Sequence, residues 1–253
     1  MTINPGWSVA AAMVTLMVIT VAAHLVAGLR LERAVVVAGV RATLQLGVAA
    51  LLIASVISHL ALSCLLVVVM FTMAVLTTAR RVEARPAAWA WTALAMACGI
   101  VPVLGVLFVS GAVPVKGIAL IPIAGIIIGN TMTAHTLVGR RVFAALREEH
   151  GQYEACLSLG MSPSQGIAEI IHRRTPEALL PGLDQVRTSG VVTLPGAFIG
   201  VMLGGGTPAQ AATAQLLVLF GVMATQTVTA GVADRFIGAR RLLPADLDRA
   251  LID

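Results

Sequence analysis

The side chains able to do chemistry are few in this chain, and several sit where a polar group is costly. Asn130, Thr131, Met132, Thr133 and His135 fall inside an otherwise apolar run, residues 118–139. Asn, Met and His can pass a soft or borderline metal ion by weak ligation. Met132 and His135 are the candidate metal contacts, and their types name no particular metal. The other use of such a cluster is hydrogen bonding between helices, with Gly125 and Gly129 as a small-residue packing face. Arg41 and Gln45 form a second polar pair within an apolar run. They are one helical turn apart and share a face. Arg41 either meets an anionic substrate or snorkels to a lipid phosphate or a neighbouring carbonyl.

The missing motifs narrow the chemistry. No Gly-x-x-x-x-Gly-Lys-Ser/Thr stretch occurs, so a loop that cradles ATP phosphates is not expected. Lys116 is the single lysine. His-Glu-x-x-His and Gly-x-Ser-x-Gly are absent, and no Asp or Glu lies inside an apolar run. Proton-coupled carriers commonly rely on such carboxylates. The chain is therefore expected not to be an enzyme and to hold no cofactor of its own. Cys64, Cys98 and Cys156 are too dispersed for a disulfide framework or a zinc site.

The elements that must position these residues are membrane spans. Of 253 residues, 58% are hydrophobic and 11% charged, far below the charge of a soluble domain. Seven apolar runs stand out: 7–29, 34–57, 61–79, 89–110, 118–139, a short 191–205, and 211–233. With alternating topology and Met1 outside, the loops 30–33, 80–85 and 140–190 and the tail from Asp234 share one face. They hold every arginine except Arg41, and Lys116 lies on the other face. The positive-inside rule makes that face cytoplasmic. The expectation is an all-α polytopic membrane protein with about seven spans, N-terminus out and C-terminus in. Residues 1–253 are expected to form one transmembrane domain, with 140–190 a helical cytoplasmic loop between spans five and six. The sixth run is broken by Pro195, Gly196, Gly200 and Gly204. Broken helices at membrane depth pack in protein or line a cavity. The residues assigned to a transport path are Arg41, Gln45, Asn130, Thr131, Met132, His135, Pro195 and Gly196.

The 140–190 loop reads as a helix–elbow–helix. Charges from Arg140 to Glu149 extend span five, and Gly151 is placed to break it. A short helix over 152–159 ends at Gly160, a favourable residue for a helix C-terminus. Ser162 and Pro163 have the types of an N-cap and a first helical residue, opening a helix to about Arg174. A third helix is expected from Pro176 to about Thr188. Glu154, Ala155, Gly160 and Ile170 keep the spacing of a loop found in permeases of ATP-binding-cassette importers. Cys156 departs from its second alanine, and His172 and Arg173 replace its closing Leu-Pro. Such a short helix with small residues seats in a groove of an ATPase. The bland reading is a loop helix lying on the membrane surface.

Ile121, Pro122, Ile123, Ala124 and Gly125, followed by Gly129, Asn130 and Met132, make a more specific pattern. Thr193, Leu194, Pro195 and Gly196 make another, followed by Gly204 and Gly205. These segments are very similar to those of the FetB-like permease family, which comprises bacterial iron-export permeases and related plant aluminium-resistance permeases. Ser158, Leu159, Gly160, Ser162, Pro163, Leu180, Pro181 and Asp184 fit the same family, as do Arg41 to Leu46. The resemblance covers roughly residues 41–241. It implies ATP-driven export by a permease homodimer bound to separate cytoplasmic ABC ATPase subunits, which would hold ATP and Mg²⁺. On it, Glu154, Ala155, Leu159, Gly160, Ser162 and Pro163 would couple to the ATPase. The implied cargo is iron or another metal for bacterial members and a sugar nucleotide for the plant branch. The implied location is the plasma membrane, the inner membrane in a bacterium. The rival readings are an ATPase-independent carrier or channel and a membrane scaffold.

Overall fold

A computed structural model describes residues 6–251. The expected placement of the chain ends concerns residues 1–5 and 252–253, which lie outside the described residues. The chain divides into two compact units, Met1–Ser58 and His59–Asp253. The described residues are almost entirely helical and contain no β-sheet.

The first unit holds α1 (Trp7–Val26) and α2 (Glu32–Val56), which pack on each other. α1 is apolar all round, α2 is apolar apart from Glu32, Arg33, Arg41 and Gln45, and none of their residues is buried. Helices of this kind suit lipid, where every backbone polar group must be satisfied within the segment. Their hydroxyls follow the same rule. Those of Thr15, Thr20, Thr43 and Ser55 donate to the carbonyl four residues back. Gly39 permits the close approach, because a Cβ there would meet the Met17 methyl.

The second unit is built on α3 (Leu60–Arg81), α4 (Trp89–Val109), α5 (Gly117–Glu148) and α10 (Pro208–Gly238). With α1 and α2 they make six helices, among the described residues, long and apolar enough to cross a membrane. α10 packs along α4 and α5, and α5 along α3. Small residues set these distances. A Cβ on Gly139 would lie 2.6 Å from Val82 Cγ1, and Gly99 abuts Thr225 and Thr229. α4 runs through Pro102 without interruption. α5 spans about 48 Å at 1.5 Å per residue, against roughly 30 Å of hydrocarbon. Its charged C-terminal third thus outruns a bilayer, as its composition implied. The break in the chain falls at Glu149, ahead of Gly151, because α6 (His150–Ser158) starts immediately after it.

One expected span is corrected. Residues 191–205 do not form a crossing helix. A turn over 189–195 leads to α9, Gly196–Leu203, only eight residues long. Eight residues reach about 12 Å, under half the hydrocarbon thickness. Pro195 supplies no backbone N–H and biases the preceding residue away from helix, so the two halves cannot fuse. The expected helix from Pro176 also divides, into a 3₁₀ segment (Thr175–Leu179) and α8 (Leu180–Thr188).

Ion pairs tie one end of the second unit together. Arg147 reaches Asp246 at 2.8 Å and Glu83 at 3.9 Å, and Arg85 pairs with Asp248. The turn after α3, the end of α5 and the C-terminal α11 (Ala245–Ala250) therefore meet at one arginine-rich end. That grouping agrees with the charge pattern of the loops.

Candidate functional site

Two sites emerge, a largely apolar cavity among helices that carries three amide side chains, and an exposed elbow. The cavity measures about 260 Å³ and is lined by Asn130 of α5, Gln185 and Val186 of α8, Pro195, Gly196 and Ala197 at the start of α9, and Gln215 of α10. Gln215 Oε1 accepts the Phe198 backbone N–H at 3.3 Å, satisfying one of the open donors at the α9 N-terminus. Asn130 Nδ2 donates to the Ile126 carbonyl at 2.9 Å, and the Asn130 backbone carbonyl accepts from Gln226 Nε2 at 3.4 Å. Gln226 also fills the space beside Gly182 of α8, where a Cβ would strike its Oε1. Uncharged amides therefore line the cavity and bridge α5, α8, α9 and α10.

Of the residues assigned to a transport path, the structure brings together Asn130, Pro195 and Gly196. Thr131 is buried on another face of α5 and donates to the Ile127 carbonyl at 2.7 Å. Met132 packs against an apolar cluster, and His135 is 2% exposed. Neither Met132 nor His135 lines the cavity. Among the described residues no group of three or more His, Cys, Asp or Glu could hold a metal ion. Arg41 and Gln45 lie on one exposed face of α2, beside Val36, Val37, Val40 and Leu44, in the first unit. Gln185, Gln215 and Gln226 were missed in the sequence. Gln215 and Gln226 carried a usable signal as amides inside an apolar run. Gln185 carried none, because its helix read as part of an external loop.

The elbow is stiff behind and open in front. Gly160 has φ +86°, the left-handed region that favours glycine. Ser162 caps α7 (Pro163–Arg174) with a full capping box: its hydroxyl accepts from the Gln165 N–H, and Gln165 Oε1 accepts the Ser162 N–H at 2.8 Å. Glu154, Ala155 and Gly160 are exposed, Pro163 is half-buried, and Leu159 is 84% exposed at the tip. Behind the tip, Ile167, Ile170 and Ile171 are fully buried, and α7 packs on both α5 and α10. Glu149 pairs with Arg173 and Arg174, and Arg174 also pairs with Glu177. These carboxylates hold the Arg174 guanidinium charged more firmly than usual.

Tyr153 is the buried rivet of the elbow. Its ring lies against Gly166, and its hydroxyl donates to the Leu251 carbonyl at 2.7 Å, clamping α6 to the C-terminal segment. Burial pushes the phenol above its ordinary value, although the nearby Arg240 pulls the other way. Tyr153→Phe is expected to destabilise the fold by about 1 kcal/mol, since it leaves a carbonyl unpaired. Thermal unfolding in detergent and faster proteolysis of the tail would report it.

Long apolar helices around a broken, half-length element define a multi-pass helical membrane protein. The chain belongs to the uncharacterised protein family UPF0014, whose model matches residues 7–242. It is 31% identical over 210 residues to the UPF0014 membrane protein slr1647 of Synechocystis, covering 80% of each chain. It is 29% identical over 203 residues to the UPF0014 membrane protein STAR2 of rice, covering 79% of this chain and 71% of that one. It is 34% identical over 140 residues to a protein of Escherichia coli named "Probable iron export permease protein FetB", covering 55% of this chain and 54% of that one. The family read from the sequence motifs is therefore the right one. No solved structure matches the chain.

Proposed function

We propose that this protein is the permease subunit of an ATP-binding-cassette exporter that moves iron or another metal ion. It works as a homodimer with separate cytoplasmic ATPase subunits, which bind ATP and Mg²⁺. The observation that carries this reading is the route from elbow to cavity. Leu159 and Ala155 are exposed at the tip. The helix behind them packs on α5 and α10, and both of those helices line the amide cavity. A push on the tip therefore reaches the cavity walls through packed side chains, because close-packed cores transmit displacement. The break between α8 and α9 supplies the compliance for the cavity to open towards either face. The name of the Escherichia coli relative supports metal as cargo and export as direction.

The test is co-purification with a cassette ATPase encoded beside this chain, in lipid nanodiscs, with the ATPase rate read against Fe²⁺ and against UDP-glucose. A stable complex stimulated by Fe²⁺ is expected. Stimulation by UDP-glucose alone would replace the metal with a sugar nucleotide. The absence of a complex would overturn the reading in favour of an ATPase-independent carrier.

A further inference from the structure

The buried apolar residues of the second unit fall into two clusters, and a polar layer separates them. The cluster nearer the arginine-rich end includes Val82, Val138 and Ala233. The other includes Val75, Ile127 and Val222. Between them, along α3, α5 and α10, lie Thr78, His135 and Thr229, all buried. Packing contacts put these three at one level. Gly125 of α5 meets Met70 of α3, and Gly139 meets Val82, so the two helices run parallel. Thr78 and His135 each lie one turn before the Val82–Gly139 contact, on the faces that make it. Gly221 of α10 meets Ile127 of α5, and Gln226 donates to the Asn130 carbonyl, so these helices run parallel as well. Thr229 and His135 each lie about two turns beyond the Gly221–Ile127 contact and so share a level.

Among the described residues, Thr78 Oγ1, Thr229 Oγ1 and both ring nitrogens of His135 have no hydrogen-bond partner. Thr92 Oγ1 on α4, nearer the arginine-rich end, is unpartnered too. The other buried threonines, Thr131, Thr136, Thr175 and Thr225, donate to the carbonyl four residues back. Thr78 and Thr229 forgo that bond although each lies well inside a helix that offers it. Their hydroxyls therefore turn away from their own backbone. A buried hydroxyl or imidazole without a partner is costly, and native interiors meet such groups with protein or with ordered water.

We infer that this layer is a buried hydration site, in which water held by His135, Thr78 and Thr229 joins α5 to α3 and α10. The donor set selects the ligand. A neutral imidazole offers one donor and one acceptor, and each hydroxyl offers both. Water answers such a set, since a buried water makes about three hydrogen bonds to groups that otherwise lack partners. A bare metal ion does not answer it. Its charge would be buried without a counter-charge, because residues 61–79, 89–110, 118–139 and 211–233 contain no Asp or Glu. His135 thus holds solvent between helices in place of the metal contact its residue type suggested. The inference does not depend on the permease reading.

The test uses the full-length chain in lipid nanodiscs, labelled with ¹⁵N-histidine and read by water-edited solid-state NMR. Loss of one imidazole signal in His135→Phe assigns that residue, and the exposed His172 is the hydrated reference. Transfer of magnetisation from water to the His135 nitrogens is expected. Its absence there, with transfer intact at His172, would overturn the hydration site. Thr78→Val and Thr229→Val keep the side-chain shape and give a second readout that needs no assignment. Each should lower the thermal midpoint in detergent by about 2–4 °C, because it strips a partner from held water. In a dry layer the same changes would remove an unsatisfied hydroxyl and raise the midpoint, which would overturn the inference. The double variant should fall by less than the two single shifts together, since both lose the same water, and strict additivity would overturn the shared bridge. Zn²⁺ should leave the His135 nitrogen shifts in place. A shift on adding it would overturn water as the ligand in favour of an ion.

Discussion

Gly160→Arg is expected to abolish capture of the ATPase subunit while the permease still inserts and folds, with an affinity loss of roughly a hundredfold. That loss corresponds to about 3 kcal/mol, the scale of a central interface residue. Two effects combine. The left-handed backbone at φ +86° disfavours any side chain, at about 1–2 kcal/mol. A guanidinium beside Leu159 also charges a tip whose apolar surface the proposed ATPase contact would cover. Nothing lies within 4 Å of a Cβ at Gly160, so packing inside the permease is untouched. Gly160→Ala separates the two effects, since it carries the backbone strain alone and should lose only the roughly fivefold to thirtyfold that this strain represents. Ala155→Asp, on the exposed side of α6, should match Gly160→Arg. Pull-down from nanodiscs measures all three. Full capture by Gly160→Arg and Ala155→Asp would remove the elbow from coupling.

Gly99→Val is expected to destabilise the second unit by about 3 kcal/mol, the upper part of the range for overpacking. A Cβ at Gly99 would collide with the Thr229 hydroxyl and lie 2.6 Å from the Thr225 carbonyl and 3.2 Å from its methyl. The carbonyl is backbone of α10 and cannot rotate away, so α4 and α10 would have to separate along their contact. Gly105→Ala in the same helix is the control, because nothing lies within 4 Å of a Cβ there. The thermal midpoint in detergent should fall sharply for Gly99→Val and stay near the parent for Gly105→Ala. Equal midpoints would show that α4 and α10 pack less tightly than the structure has them.

What the sequence determined by itself was whatever depends on local chemistry. Six stretches of apolar residues became six long helices because a backbone without water must bond to itself. The Ser162 cap, the turn at Gly160 and the helix from Pro163 to Arg174 were legible for the same reason: each depends on a few neighbouring residues. Asn130, Pro195 and Gly196 were found because polar or helix-breaking residues inside an apolar run stand out. The tertiary structure decided which of those residues meet. Spacing along α5 could not say that Asn130 faces the cavity while Thr131, Met132 and His135 face elsewhere, since the partners of that helix lie far along the chain. Depth was hidden too. α8 is polar enough to read as part of an external loop, and only its packing of Gly182 on Gln226 sets it against the interior of α10. Hydropathy records what a residue prefers, and the neighbours supplied by distant segments decide where it ends up.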